Sequence, residues 1–208
     1  MRRPPPRKTE SRATCCSFFV AEAFAFADDV RNYKGLALKT YSKKICLLGD
    51  FAVGKTSLVR RFVHNRFDDQ YISTIGVKVS RKTVMAPANG EVAELTMMLW
   101  DLAGSQEFSA VTTSYLRGAS GAILVCDLTR ADTLPSLQRY ADDIRKVCGP
   151  IQLMIAANKN DIPEQHLLTV EQVAEMAGTL QAPHFFTSAK VGAEVDEMFR
   201  LLGKQLLD

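Results

Sequence analysis

From about residue 42 to its end, the chain alternates short apolar runs with segments in which apolar residues recur every three or four positions. The short runs predict buried β-strands, and they span residues 45–48, 121–126, 151–157 and 184–187. The wider spacing predicts amphipathic helices. The apolar positions of these helices are Leu58, Val59, Phe62 and Val63 within 55–65; Leu134, Leu137, Ala141, Ile144 and Val147; Val170, Val173, Ala174, Ala177 and Leu180; and Val195, Met198, Phe199, Leu202 and Leu206.

Residues 77–85 and 92–100 predict a strand pair, because an Asn-Gly turn signal at 89–90 lies between them. One face of the second strand is marked by Leu95, Met97 and Leu99. Strands that alternate with helices predict an α/β fold with a largely parallel sheet covered on both faces. The hairpin makes one edge strand antiparallel. In such a sheet, ligands bind at the carboxyl ends of the strands.

Composition and charge divide the chain into two parts. With 208 residues, 47% hydrophobic and 24% charged, it has room for one domain, which we place at 43–208 after an N-terminal extension at 1–42. The net charge is +3, and residues 1–12 contain five basic residues against one acidic residue. The basic excess therefore lies in the extension and not on the domain, which disfavours nucleic acid as a partner.

Five cysteines occur without zinc-like spacing, and we expect Cys46 and Cys126 to be buried, reduced thiols. No apolar run reaches the length of a membrane span. Residues 17–27 weakly match a secretory signal, and the alternative is a disordered extension or a start codon placed too far upstream. We favour the alternative and expect a cytoplasmic protein.

A glycine-rich motif follows the first strand and precedes the first helix, and it matches GxxxxGK[ST]. With the next residue it comprises Gly49, Asp50, Phe51, Ala52, Val53, Gly54, Lys55, Thr56 and Ser57. In this context backbone N–H groups wrap the phosphates of a nucleotide. Lys55 is expected to reach the β- and γ-phosphates, and the Thr56 hydroxyl to bind Mg²⁺.

The tetrad 158–161 follows the strand at 151–157 and predicts guanine recognition. The Asp161 carboxylate can accept hydrogen bonds from two donors on guanine that adenine lacks. We expect Asn158 to tie this loop either to the phosphate loop or to the base, and the Lys159 stem to lie along the purine ring. After the last strand come Ser188, Ala189 and Lys190. Here the Ala189 N–H can donate to guanine O6.

Two further residue sets fall at the γ-phosphate end of the predicted site. Asp101 and Gly104 form a DxxG motif at the end of a strand, which puts a carboxylate near Mg²⁺ and the Gly104 N–H at the γ-phosphate. Thr74 can close over Mg²⁺ with its hydroxyl when the γ-phosphate is present. Such a closure is typical of a nucleotide switch.

These motifs occur in the order and spacing of the Ras/Rab superfamily of small GTPases, and from about residue 43 onward the chain resembles Rab-like members of bacterial type. The resemblance implies a P-loop NTPase fold with a six-stranded sheet and five helices. It also implies GTP/GDP and Mg²⁺ binding, slow hydrolysis of GTP, and effectors and regulators that contact switch segments 67–77 and 103–117. Phe67 matches the aromatic residue that packs on the guanine ring.

The chain departs from the family at its catalytic glutamine. That residue directly follows DxxG in relatives, whereas here the position is Ser105. Gln106 comes one place too late to take the catalytic role, unless the loop bulges by one residue. Serine is too short to orient the attacking water. In the phosphate loop, Phe51 and Ala52 replace small residues, and we expect Phe51 either to crowd the γ-phosphate and an incoming arginine or to pack outward on a switch segment.

The chain ends without a cysteine for prenylation, so we expect no lipid anchor. The sequence thus predicts a guanine-nucleotide switch with slow intrinsic hydrolysis. The alternatives are a GTP-binding scaffold that does not cycle and, against the preference of Asp161, a P-loop ATPase or kinase.

Overall fold

The structure, a computed structural model, describes residues 38–68, 73–88, 91–104 and 110–208. This part of the chain contains six strands and five α-helices, which alternate except that the second strand is followed directly by the third. The strands are β1 (Thr40–Leu48), β2 (Val77–Ala88), β3 (Glu91–Leu102), β4 (Gly121–Asp127), β5 (Gln152–Asn158) and β6 (His184–Phe186). The helices are α1 (Lys55–His64), α2 (Ala110–Leu116), α3 (Ser136–Cys148), α4 (Val170–Leu180) and α5 (Val195–Gln205).

The strands form one sheet in the order β2-β3-β1-β4-β5-β6. β1 pairs in parallel with both β3 and β4, and β4–β5 and β5–β6 are also parallel. Edge strand β2 pairs antiparallel with β3. This confirms the predicted α/β fold with one antiparallel edge strand. Since the five parallel strands point the same way, the loops after β1, β3, β5 and β6 all leave one edge of the sheet.

Helices cover both faces of the sheet. On one face, α1 and α5 pack their apolar stripes on the strands, and the Phe62 and Phe199 rings stack with centroids 3.9 Å apart. On the other face, α3 and α4 do the same through Leu137, Ile144 and Val173. Each stripe follows the 3.6-residue period, so one side of each helix is removed from water. α4 begins with a capping box between Thr169 and Gln172, which satisfies two backbone groups at its first turn.

The observed elements differ from the predicted ones where polar residues lie in regular structure. β1 begins at Thr40, upstream of the run at 45–48, because its polar first half is aligned by pairing with β3. Val170 and Ala174 are exposed, so only part of the predicted α4 stripe faces the core: Val170 is the first residue of the helix, and Ala174 lies about 100° around the helix from Val173. The apolar pattern did not predict α2. The predicted turn at 89–90 lies outside the described residues.

Two thiols meet the expectation of burial. Cys46 and Cys126 are free and buried, and this burial raises the pKa of each thiol to about 12. Among the described residues, no helix has the length and apolarity of a membrane span.

Candidate functional site

A cavity of about 390 Å³ opens at the edge of the sheet where the four loops converge. Most of the predicted site residues line it: Phe51, Ala52, Gly54, Lys55, Thr56, Ser57, Phe67, Thr74, Gly104, Asn158, Lys159, Asp161, Ala189 and Lys190. Gly49, Asp50, Val53, Asp101 and Ser188 lie behind this lining and contact the residues that form it. Ser105 and Gln106 lie outside the described residues.

The phosphate loop has glycine where a side chain would collide with its surroundings. A Cβ at Gly49 would lie 2.3 Å from the Val125 carbonyl oxygen, and one at Gly54 would lie 2.2 Å from Asn158 Nδ2. Both residues have positive φ, 148° and 102°, which glycine adopts without steric cost. The loop can therefore lie directly on β4 and on the last residue of β5.

Lys55 is held inside the phosphate loop, because its Nζ donates to the carbonyls of Gly49 at 2.7 Å and Asp50 at 2.8 Å. Burial lowers the pKa of its ammonium to about 8. The Asp50 side chain turns away toward α3, where its carboxylate accepts from the Tyr140 hydroxyl at 2.9 Å and pairs with Arg139 at 3.5 Å. Burial and this contact raise the pKa of Tyr140. The phosphate loop is therefore held on its inner side by Lys55 and on its outer side by Tyr140 and Arg139.

Three oxygen-bearing side chains meet at the start of α1. Thr56 Oγ1 donates to Asp101 Oδ2 at 2.6 Å and lies 2.8 Å from Thr74 Oγ1. The other carboxylate oxygen of Asp101 is buried and has no hydrogen-bond partner among the described residues. Burial raises the pKa of Asp101. Hydroxyl and carboxylate oxygens are the donors that Mg²⁺ prefers, and a buried unpartnered carboxylate oxygen suits a cation. These residues fit the magnesium ion that the sequence predicts.

Asn158 joins the two halves of the cavity. Its Nδ2 donates to the Val53 carbonyl at 2.9 Å. Of the two partners expected for Asn158, the phosphate loop and the base, this contact is the one to the phosphate loop. Its Oδ1 accepts from Thr187 Oγ1 at 3.3 Å and from the Ala189 N–H at 3.2 Å. One amide thus links the ends of β5 and β6 to the phosphate loop.

Asp161 is held by a side chain from a neighbouring loop, and Lys159 by a side chain from the end of a neighbouring strand. Asp161 Oδ1 accepts from Ser188 Oγ at 2.5 Å, so the carboxylate has a fixed orientation. Lys159 Nζ pairs with Asp127 Oδ2 at 2.5 Å, and Asp127 is fully buried at the end of β4. Lys159 has a positive φ of 68°, which turns the loop so that its side chain reaches inward.

Two aromatic side chains border the cavity. Phe51, at the tip of the phosphate loop, is 56% exposed, and Phe67 is 36% exposed. Both have surface that a ligand can cover.

The two predicted switch segments contact each other, because the Ala103 N–H donates to the Gly76 carbonyl at 2.9 Å. A Cβ on Gly104 would lie 2.5 Å from Phe51 N, so this glycine packs directly on the phosphate loop.

Two arginines of the site, Arg60 and Arg61, were not predicted. Arg60 also lines the cavity, and its position four residues after Thr56 on α1 is a signal that it shares that helical face. Arg61 donates from Nε to the Ala189 carbonyl at 2.8 Å and from Nη2 to the Lys190 carbonyl. No local pattern predicts the Arg61 contacts, because both carbonyls lie more than a hundred residues away from Arg61 in the chain.

The chain is similar in sequence to known proteins. A family model described as the Ras family matches residues 44–208. Ras-related protein Rab-1C of Dictyostelium discoideum is 36% identical over 164 residues, which cover 78% of this chain and 80% of that protein. Ras-related protein Rab-21 of Bos taurus is 34% identical over 171 residues, covering 82% and 75%. Rab-21 of Homo sapiens is 33% identical over 171 residues, covering 82% and 74%.

Proposed function

The chain belongs to the Ras family as a Rab-like small GTPase, and we propose that it is a switch that binds GTP or GDP with Mg²⁺ and hydrolyses GTP slowly. Family membership implies guanine-nucleotide binding, GTP hydrolysis and switching. The finer assignments below are supported by the cavity, where residues from four loops converge. The resemblance to bacterial-type members and the cytoplasmic location stay predictions.

We assign the phosphates to the loop at 49–56. Lys55 would place its ammonium against the β- and γ-phosphates, since its Nζ is already held within the loop. Thr56, Thr74 and Asp101 would hold Mg²⁺, which when bound supplies positive charge that neutralises the phosphates. The contact between Thr56 and Thr74 carries this assignment, because it brings a residue of the first switch segment to the metal site.

We assign the guanine base to the loops after β5 and β6. The hydrogen bond from Ser188 would hold the Asp161 carboxylate in place to accept from the two guanine donors. The Ala189 N–H would donate to guanine O6 and would give up its hydrogen bond to Asn158. The Lys159 stem and the Phe67 ring would cover the two faces of the base.

Hydrolysis in this assignment is attack of water on the γ-phosphate, in line with the leaving oxygen. Lys55, the N–H groups of the phosphate loop and the Gly104 N–H would stabilise the charge that develops. Ser105 is too short to orient the water from the position next to Gly104, and the Phe51 side chain occupies the rim of the cavity. Both features support a slow intrinsic rate and poor access for an arginine from an activating protein.

The two switch segments, 67–77 and 103–117, would present effectors and regulators with a surface that depends on the nucleotide. Their contact between Ala103 and Gly76 supports joint movement of the two. We keep the division of the chain into an extension at 1–42 and a GTPase domain at 43–208. β1 begins at Thr40, so the first strand of the domain includes the end of the extension.

A GTP-binding scaffold that does not cycle is the second candidate, and Ser105 and Phe51 favour it. Mass identification of the nucleotide on the purified protein, followed by its turnover, distinguishes the candidates. The switch predicts GDP, or GTP that decays to GDP over hours. GTP that persists without decay supports the scaffold, and a bound adenine nucleotide overturns both.

A further inference from the structure

Arg130 contacts the phosphate loop although it lies outside every motif of the sequence analysis. It follows β4 and extends to the tip of the loop, where its Nη1 donates to the Phe51 carbonyl at 2.7 Å. Its Nη2 pairs with Asp132 at 3.0 Å, so the guanidinium is fixed at both ends. A hydrogen bond from a charged donor is stronger than one between neutral groups.

The backbone beneath Arg130 is also fixed. Its N–H donates to the Asp127 carbonyl at 2.9 Å, and its carbonyl accepts from Thr133 Oγ1 at 2.7 Å. Asp127 is itself fully buried, with Oδ1 accepting from the N–H and hydroxyl of Thr129. The guanidinium therefore extends from a rigid turn.

The carbonyl that Arg130 binds shares a peptide plane with the Ala52 N–H. In a trans peptide these two groups point in opposite directions. Arg130 occupies the carbonyl side of the plane, and Ala52 lines the cavity. Ala52 has φ of 62°, a left-handed conformation that is unfavourable for alanine. The peptide therefore needs a contact that holds it in this orientation.

We propose that Arg130 is a positioning residue of the phosphate loop: its bond to the Phe51 carbonyl turns the Ala52 N–H toward the phosphates beyond the first. The proposal rests on the proposed function, because it requires a guanosine phosphate in this cavity. Arg130 does not touch the nucleotide in this role. It acts through the peptide between Phe51 and Ala52. The positive φ of Ala52 is unfavourable for alanine, whereas glycine would adopt it without the contact to Arg130.

The test compares the affinity of GDP with that of GMP for the full chain and for Arg130→Ala. A contact to the phosphates beyond the first is available to GDP and absent from GMP. We expect Arg130→Ala to weaken GDP binding about tenfold and to change GMP binding less than about twofold. Equal losses for the two nucleotides, or no loss for GDP, overturn the proposal.

Arg145 offers a matched control, since its Nη2 donates to the Leu180 carbonyl at 2.8 Å, remote from the cavity. Arg145→Ala removes the same kind of bond and should leave the GDP to GMP ratio unchanged. Arg130→Lys retains charge and a donor, and should recover part of the ratio. A ratio that falls as far in Arg145→Ala as in Arg130→Ala overturns the proposal.

A second arm tests the role of strain. In an Ala52→Gly background the positive φ costs little, so Arg130→Ala should weaken GDP binding by a smaller factor than it does beside Ala52. An equal or larger factor overturns the proposal. If the unaltered chain binds neither GDP nor GMP, the proposed function itself fails, and this result is distinct from a normal affinity that Arg130→Ala leaves unchanged.

Discussion

The Asn158 amide donates to the Val53 carbonyl at 2.9 Å, so the loop that we assign to the base is bonded directly to the loop that we assign to the phosphates. Both atoms of this contact are buried. The same side chain accepts from Thr187 and Ala189. Recognition of the base and recognition of the phosphates therefore both depend on the Asn158 amide, which connects the two loops.

Asn158→Ala should weaken GDP binding at least about tenfold and lower the free energy of unfolding by about 1–3 kcal/mol, because it leaves buried partners unsatisfied. Nucleotide titration and denaturant unfolding measure the two effects. Asn160→Ala is a matched control from the same loop, since the Asn160 contact with the Phe186 carbonyl is exposed. An Asn158 variant that binds GDP as well as the control does would contradict this account.

Ser188→Ala should reduce discrimination between guanine and hypoxanthine, because Ser188 orients the Asp161 carboxylate. Hypoxanthine lacks the 2-amino donor, so inosine diphosphate gains less from a well-placed carboxylate. We expect the affinity of GDP to fall about threefold to tenfold and that of inosine diphosphate to fall less. Competition binding measures both. Identical losses would show that Ser188 affects only the general shape of the pocket.

Gly104→Ala should weaken binding of a non-hydrolysable GTP analogue more than binding of GDP. A Cβ there would lie 2.5 Å from Asp50 C and Phe51 N, so residue 104 must move away from the phosphate loop. Its N–H would then miss the γ-phosphate, which GDP does not have. Gly178→Ala is the control, because its Cβ would meet nothing within 4 Å on helix α4. A parallel loss for both nucleotides would argue against a γ-phosphate contact.

The sequence was sufficient to predict the order of the strands and of four helices, with α2 missed, and the loops that line the cavity. Buried strands such as β4 are continuous apolar runs, and phosphate loops need glycine at fixed positions, so both leave local signals. The site residue Arg130 has no such signal, because its partner Phe51 lies far away in the chain. Contacts of this kind depend on the sheet order, which brings the ends of β1 and β4 together.

The partners of Lys159 show the same limit. Its motif predicts a role at the base, while its ammonium pairs with Asp127 from another strand end. The exposure of Val170 on α4 was also not predicted. An apolar pattern shows which residues could be buried, but burial depends on what packs against them. Local chemistry is therefore predictable here, and its supporting contacts require the fold.

The central claim concerns the fate of bound GTP, and single-turnover hydrolysis in the presence of Mg²⁺ tests it most directly, with Ser105→Gln and Gln106→Ala measured beside the unaltered chain. We predict that GTP converts slowly to one equivalent of GDP, that Ser105→Gln accelerates the decay about tenfold or more, and that Gln106→Ala leaves it unchanged. Decay as fast as that of Ser105→Gln in the unaltered chain, together with its loss in Gln106→Ala, would contradict the account and identify Gln106 as the residue that orients the water.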